Sequence, residues 1–524
     1  MQDLKIVSGK EAESLLRCSL DKDGPRAFAQ RTQQYPGGAR IEFGGVDFES
    51  LRHEFEDNVL RFENLQLNHC EVDFSGADFG DGGVSFSGCQ AGRPASFAGA
   101  RFGNGDVKFI DSQWGTIDFS EAIFMGGGTL DFSGAKVNGN NLWTFIDLGE
   151  KDLNFATSSK GRVFEASGKK FFISIKRHTG KTVSFQGAIL RSHLSSFNFE
   201  GATGLKQLQL NDSVWQGRAG VVQNLCFQGS GSLQLCRADL SMLQEFTISK
   251  VSVKKGLVRF ATTVFPGQGL TRIGFEKIGN SKVDFENAVF GGALAIAQEA
   301  KFDRECEVSF KGATFQGPVE ISNLSFGSVP NFIATQFSKH LSLDGVEYDY
   351  ERAKRLFSPD PNNSNAGKLQ RLKELAENNR DHRLALQCYA DEMRARRWQL
   401  RNMGSKAADV LDATYDLISS YGQSVARPFI ALVLTWFVFA GLYGEASTVK
   451  DTPAFLDMLG YSMAMSVPFL PASSAFRANE FLSLFGDPAS ADMSSVYGLM
   501  AGQGLVSFVL LFLIGLGLRN RFRI

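Results

Sequence analysis

The chain has 524 residues and a mass of 57.4 kDa, which is more than one ordinary globular domain holds and predicts two to four. Hydrophobic residues make up 43% and charged residues 21%, so most of the chain should fold; the formal net charge of −1 argues against a general polyanion binder, and no nucleic-acid partner is expected. A total of 55 Gly and 47 Phe against only 9 Tyr points to a repeating chain.

Residues 1–40 read as an N-terminal cap region. Their opening, MQDLKIVSGKEAESLLRCSL, holds no uninterrupted apolar run, so no secretory signal is expected. The cysteines (Cys18, Cys70, Cys89, Cys226, Cys236, Cys306, Cys388) are scattered and form no C-x-x-C pair. A disulfide scaffold or a zinc site is not expected, and a reducing compartment fits.

Residues 41–346 carry a phenylalanine repeat. The unit is F-x-G-A-x-F, with two large apolar residues five apart. It occurs at Phe74/Phe79, Phe97/Phe102, Phe119/Phe124 and, with Val closing, Phe132/Val137. Further on, pairs at Phe185/Leu190, Leu210/Trp215, Leu235/Leu240, Phe260/Phe265, Phe285/Phe290 and Phe310/Phe315 start 25 residues apart. A helix wants apolar residues every 3.6 positions and a strand every 2, and a spacing of five fits neither. It fits a chain that turns a corner about every five residues, with one large side chain per side pointing inward. Stacked coils then pair as parallel strands about 4.8 Å apart, with Phe stacked on Phe. Residues 138–184 are poorly periodic and predict loops or a wider coil.

The F-x-G-A-x-F and L-C-R-A-D-L units resemble those of pentapeptide-repeat proteins. The resemblance covers more than half the chain and implies a right-handed quadrilateral (parallel) β-helix. Phe74, Phe79, Phe97, Phe102, Phe185, Phe260, Phe265, Phe285, Phe290, Phe310 and Phe315 would form its core. Residues 41–150 carry a net −12 and residues 151–260 a net +10. The asymmetry suggests protein contacts or end-to-end self-association, and a solvated surface with drift explains it as well. A protein partner on the β-helix is one expectation, a rigid spacer another. The DNA mimicry known for some members of the family needs acid along the whole rod, which the basic middle spoils.

Signatures of catalysis are missing. Gly180-Lys181-Thr182 resembles the end of a P-loop, but Ile175 stands where its first glycine should be. The six histidines give no metal spacing, and H-E-x-x-H and G-x-S-x-G do not occur. Neither an enzyme nor a cofactor is expected.

Residues 347–427 read as a helical, basic linker. Lys368–Asn378 and Asp381–Arg401 predict two amphipathic helices after a Pro/Asn/Ser-rich loop. The string RLKELAENNRDHRLALQCYADEMRARR resembles the linker between a pentapeptide rod and a membrane hairpin in a group of bacterial membrane proteins. Arg394, Arg396, Arg397, Arg401 and Lys406 follow with no acid between them. They are expected at anionic lipid head groups beside a span, a solvated helix end being the alternative.

Residues 428–524 read as a two-helix transmembrane hairpin. Phe429–Tyr443 and Val496–Leu518 are free of charge; the second is long enough to cross a bilayer, and the first just reaches that length with Val425–Pro428 and Gly444. Arg427 precedes the first span, Arg519, Arg521 and Arg523 follow the second, and the intervening loop is acidic. The positive-inside rule then puts both termini in the cytoplasm of a multi-pass protein of the bacterial inner membrane. Ala454–Leu470 is apolar but too short for a third span and predicts a re-entrant or interfacial half-helix, 454–470.

Span, half-helix and span together resemble two-span ion channels. The resemblance implies pore or mouth positions at Glu445, Asp457, Ser462, Ser466, Pro468, Phe469, Gly502 and Gly504. Ser466-Val467-Pro468-Phe469-Leu470 stands where a selectivity filter would follow, so potassium selectivity is not supported. The expectation is a homo-oligomer in the lipid bilayer, its cytoplasmic rod coupled to a channel-like unit, with stress or anti-phage defence as a setting. A non-conducting, membrane-anchored scaffold is the alternative.

Overall fold

In the computed structural model the chain divides into two units, Met1–Tyr350 and Glu351–Ile524. Residues 4–20, 24–35, 38–53, 57–296, 301–398, 406–447, 454–467, 471–486 and 493–522 are described.

The first unit is a parallel β-solenoid of about 11 turns over residues 59–348. The five-residue pairing places its columns. Trp114 pairs with Ala91 on one side and Val137 on the other. Further along, Phe265, Phe290, Phe315 and Phe337 form one column in successive coils. Rings stack at coil spacing: Phe260 on Phe285 at 4.7 Å, Phe285 on Phe310 at 4.9 Å and Phe265 on Phe290 at 4.3 Å. All of the phenylalanines expected in the core are buried.

The small residues of F-x-G-A-x-F make the corner. Gly76 lies at φ +68°, and the Ala77 N–H donates to the Phe74 carbonyl at 3.0 Å. That is a turn with positive φ at its third residue, which glycine enters without a Cβ clash. The same bond recurs from Ala100 to Phe97, from Ala288 to Phe285 and from Ala313 to Phe310. The following alanine is buried, and Cys89, Thr263 and Leu243 take the same buried place in other turns.

The wider-coil alternative for residues 138–184 is what forms, and the widening runs on past them. Strands Asn141–Gly149, Glu165–His178, Ile189–Asn198, Cys226–Gln234, Glu245–Arg259 and Leu270–Asp284 replace the two- to five-residue strands found elsewhere. Register shifts at Ile248/Val251 and Val251/Ser252 accommodate the extra length. Helices α1 (Gly9–Leu20), α2 (Gly24–Thr32) and α3 (Phe48–Arg52) lie at the N-terminal end. There the strand Lys5–Val7 pairs with Ala39–Glu42, which in turn pairs with Cys70–Asp73.

The second unit is helical. Helices α4 (Asn365–Asn378) and α5 (His382–Arg396) form a hairpin, and Asp381 caps α5 by accepting from the Leu384 N–H at 2.9 Å. Leu369, Leu372, Leu375 and Ala376 face inward from α4, and Leu384, Ala385 and Cys388 from α5. Helix α6 (Lys406–Ser419) had no counterpart among the expected elements. Helices α7 (Ala426–Ala446) and α10 (Ser494–Phe522) have mean hydropathies of 1.7 and 2.2, and only 17% and 22% of their apolar windows are buried. Apolar helices so exposed are long enough to span a membrane and unlike the core helix of a soluble domain. Between them lie α8 (Phe455–Ser466) and α9 (Pro471–Phe485).

Candidate functional site in the helical unit

The chemistry concentrates at two levels of the helical unit. The first is a charged collar where α5, α6 and the start of α7 meet. Arg394 lies on the face of α5 that also carries Asp391, one turn earlier. Its Nη1 donates to Asp391 Oδ1 at 2.7 Å and its Nε to Asp416 Oδ2, on α6, at 2.9 Å. Arg352 grips Asp391 with two donors, at 2.8 and 2.7 Å. Arg397 Nε donates to Asp412 at 2.6 Å, its Nη2 to Asp416 at 3.1 Å, and it also bonds the Tyr421 hydroxyl. Burial alone would raise the Asp416 carboxyl, but bonds and charge from Arg394 and then Arg397 outweigh it and hold its pKa below the ordinary value.

This corrects the expectation for two arginines. Arg394 and Arg397 do not reach lipid head groups; their side chains are 5% and 0% exposed. The reason is sequence distance: besides Asp391, one turn earlier, the acids that neutralise them stand on α6, 15 to 22 residues downstream. Arg396 is exposed and pairs with Glu392 at 2.7 Å. Lys406 begins α6. Arg401 and Arg523 lie outside the described residues. Arg427, Arg519 and Arg521 are exposed and gather where α7 begins and α10 ends, because Asn520 donates to the Gly422 carbonyl at 3.0 Å there.

The second level is a polar knot among apolar helices. The Tyr443 hydroxyl donates to Gln503 Oε1 at 2.7 Å. Gln503 Nε2 donates to the Ser462 carbonyl at 2.8 Å and to Ser462 Oγ at 2.7 Å. Ser466 Oγ accepts from Trp436 Nε1 at 2.9 Å and from Ser507 Oγ at 3.0 Å. Trp436 stands midway along α7 and Ser507 near the middle of α10. Helix α8 packs along the far half of α7, where Tyr443 and Tyr461 meet edge to face at 5.2 Å and Phe455 stacks on Phe437 at 6.4 Å, and its last residue, Ser466, lies at mid-length of α7 and α10. Helix α9 turns back: Ser473 Oγ donates to the Val467 carbonyl at 2.7 Å, and Leu484 accepts from Ser447 at 2.6 Å, just past α7.

The pore and mouth candidates scatter over this frame. Ser462 and Ser466 are buried and engaged inside one chain. Glu445 is exposed at the end of α7, and Asp457 in the first turn of α8. Gly502 is exposed and Gly504 half-buried, and a Cβ on either would meet nothing within 4 Å. Pro468 and Phe469 lie outside the described residues. Sequence reasoning missed Gln503, Ser507 and Trp436, although a glutamine within an apolar run is itself a signal. Comparison with protein-family models, curated proteins and solved structures finds no match to the chain.

Proposed function

We propose that the protein is a membrane-anchored scaffold, with α7 and α10 crossing the bilayer and the solenoid as its interaction module. The observation that carries this is the pair of long apolar helices left mostly uncovered in a single chain. Lipid, or another copy, is what covers such faces. The basic collar end, with Arg427, Arg519 and Arg521, then faces the cytoplasm, in accord with the positive-inside rule. On the solenoid, a cleft of about 900 Å³ opens at the widened coils between Phe227, Val253, Lys254 and Lys277 and offers a surface for a protein partner.

A second reading, a homo-oligomeric channel-like unit, is favoured by one observation: α8 and α9 dip between the spans to mid-length and return, as re-entrant segments of channels do. Unpacked Gly498 and Gly502 on α10 would let copies approach closely. Depolarisation in stress or antiviral defence is a setting for that reading alone. Against it, the serines offered for a pore bond within the chain.

The test is to purify the full chain from membranes in mild detergent, measure its assembly size, and record current in planar bilayers. The scaffold reading expects membrane recovery and no current above that of protein-free bilayers. Oligomers with a current that Asp457→Asn alters would replace it by the channel reading. Recovery in the soluble fraction would sink both.

A further inference from the structure

One cavity of the helical unit is not absorbed by that reading. It has a volume of about 780 Å³ and opens between α6 and the first turns of α7. Its floor is the charged collar, and its wall is apolar: Leu417, Ile430 and Leu434 line it while remaining 58%, 57% and 58% exposed. Around the floor, Arg352, Arg394, Arg397 and Arg427 face Asp391, Asp412 and Asp416. The three aspartates are taken up by the first three arginines. Arg427 donates only to a backbone carbonyl, that of Asp416, at 3.2 Å, and no carboxylate among the described residues pairs with it. The collar is thus one positive charge in excess, and that charge lies at the cavity.

We propose that this cavity holds one anionic phospholipid, its phosphate at Arg427 and an acyl chain along Leu417, Ile430 and Leu434. Arg427, Ala431 and Leu434 recur at helical spacing on one face of α7, with Ile430 beside them. The cation stands at the end of the span and the apolar residues continue along it, which is the head-to-tail order of a phospholipid. A guanidinium takes a phosphate oxygen pair with charge-assisted bonds, and the exposed apolar wall then loses its contact with water. A soluble phosphate would satisfy Arg427 but leave the wall wet. A zwitterionic lipid would bring its own cation to a site that already holds an unmatched one. The site rests on α7 being a span.

The experiment uses the full chain extracted from membranes into mild detergent, with retained lipid counted by native mass spectrometry. Phosphatidylglycerol, phosphatidylcholine and inorganic phosphate are added back separately. The unaltered protein should retain one phosphatidylglycerol in preference to phosphatidylcholine. Arg427→Gln should weaken that retention about tenfold, the scale of one lost charge-assisted contact. Arg396→Gln, which removes an exposed arginine outside the cavity, should leave it unchanged. Leu434→Ser, which keeps the charge, should also weaken phosphatidylglycerol, and inorganic phosphate should not displace the lipid. Equal retention by Arg427→Gln, equal retention of phosphatidylcholine, or displacement by phosphate would overturn the site while leaving the anchor reading intact. A chain found in the soluble fraction would overturn both.

Discussion

At the scale of single residues, charge was the hardest quantity to read from the sequence. Arg394 and Arg397 stand in a run without acids, yet fold onto Asp391, Asp412 and Asp416. A buried pair of this kind contributes little net stability, but stripping one partner costs about 3–5 kcal/mol, because a desolvated charge is left behind. Such an arrangement fixes which helices meet more than it strengthens them. Elsewhere, burial without a full charge partner gives a pH response. His178 ends the strand Glu165–His178 and is fully buried. Burial lowers its pKa, and the Asp152 charge offsets only part of that. The unfolded chain therefore takes up a proton below about pH 6.5 that the folded chain refuses, so stability is lost as pH falls through that window. The slope reaches at most about 1.4 kcal/mol per pH unit. We expect the fall in melting temperature between pH 7.5 and 5.5 to be smaller for His178→Leu than for the unaltered chain. Equal falls in the two proteins would show that the histidine does not titrate as described.

At the scale of elements, the solenoid was legible and the helical connections were not. Phe at i and i+5 with a small residue at i+2 leaves few physical solutions, because each turn must hide two large rings and bend at the small residue. The sequence could not show that the coils widen as far as Asp284, since long strands among polar residues carry no five-residue mark. Helix α9 was missed because Pro468 read as a stop, whereas Pro471 takes the first helical position, where a missing N–H costs nothing. Helix α6 lay in what looked like a linker, and its value is visible only once Asp412 and Asp416 meet arginines from α5. The stack makes the element-scale prediction. Phe285 lies between Phe260 and Phe310 with no exposure. Phe285→Ala should cost about 3–5 kcal/mol, by lost transfer and an unfilled cavity. Denaturant unfolding against Val264→Ala, at a partly exposed position on the neighbouring coil, measures it. A cost no larger than that control's would mean the rings do not carry the core.

At the scale of the whole molecule, α7 and α10 run antiparallel, so a chain that crosses a membrane on both returns to the side it left. The Asn520–Gly422 bond ties the spans at one end, and the Tyr443–Gln503 bond holds them toward the other. If both cross, the residues before α7 and after α10 share one face of the membrane, and the end of α7 reaches the other. Helix α8 adds a third level, since the hydrogen bonds of Ser466 with Trp436 and Ser507 hold its end halfway between the two. Three cysteine positions separate these levels under a membrane-impermeant maleimide. Glu445→Cys should label in intact cells, because it is exposed where α7 ends. Arg519→Cys should label only once the cells are opened, together with the accessible native thiols of the solenoid. Ser466→Cys should resist the reagent from either side, because it is buried between two spans far from both surfaces. The sign of the outcome follows from solvation: a polar maleimide cannot enter hydrocarbon, and several arginines do not cross it without a large penalty. Labelling of Glu445→Cys and Arg519→Cys from the same side would remove the two-span arrangement. Labelling of Ser466→Cys from outside would instead keep the spans and open a water path down to α8, which, like a current that Asp457→Asn alters, would move the balance from scaffold to channel.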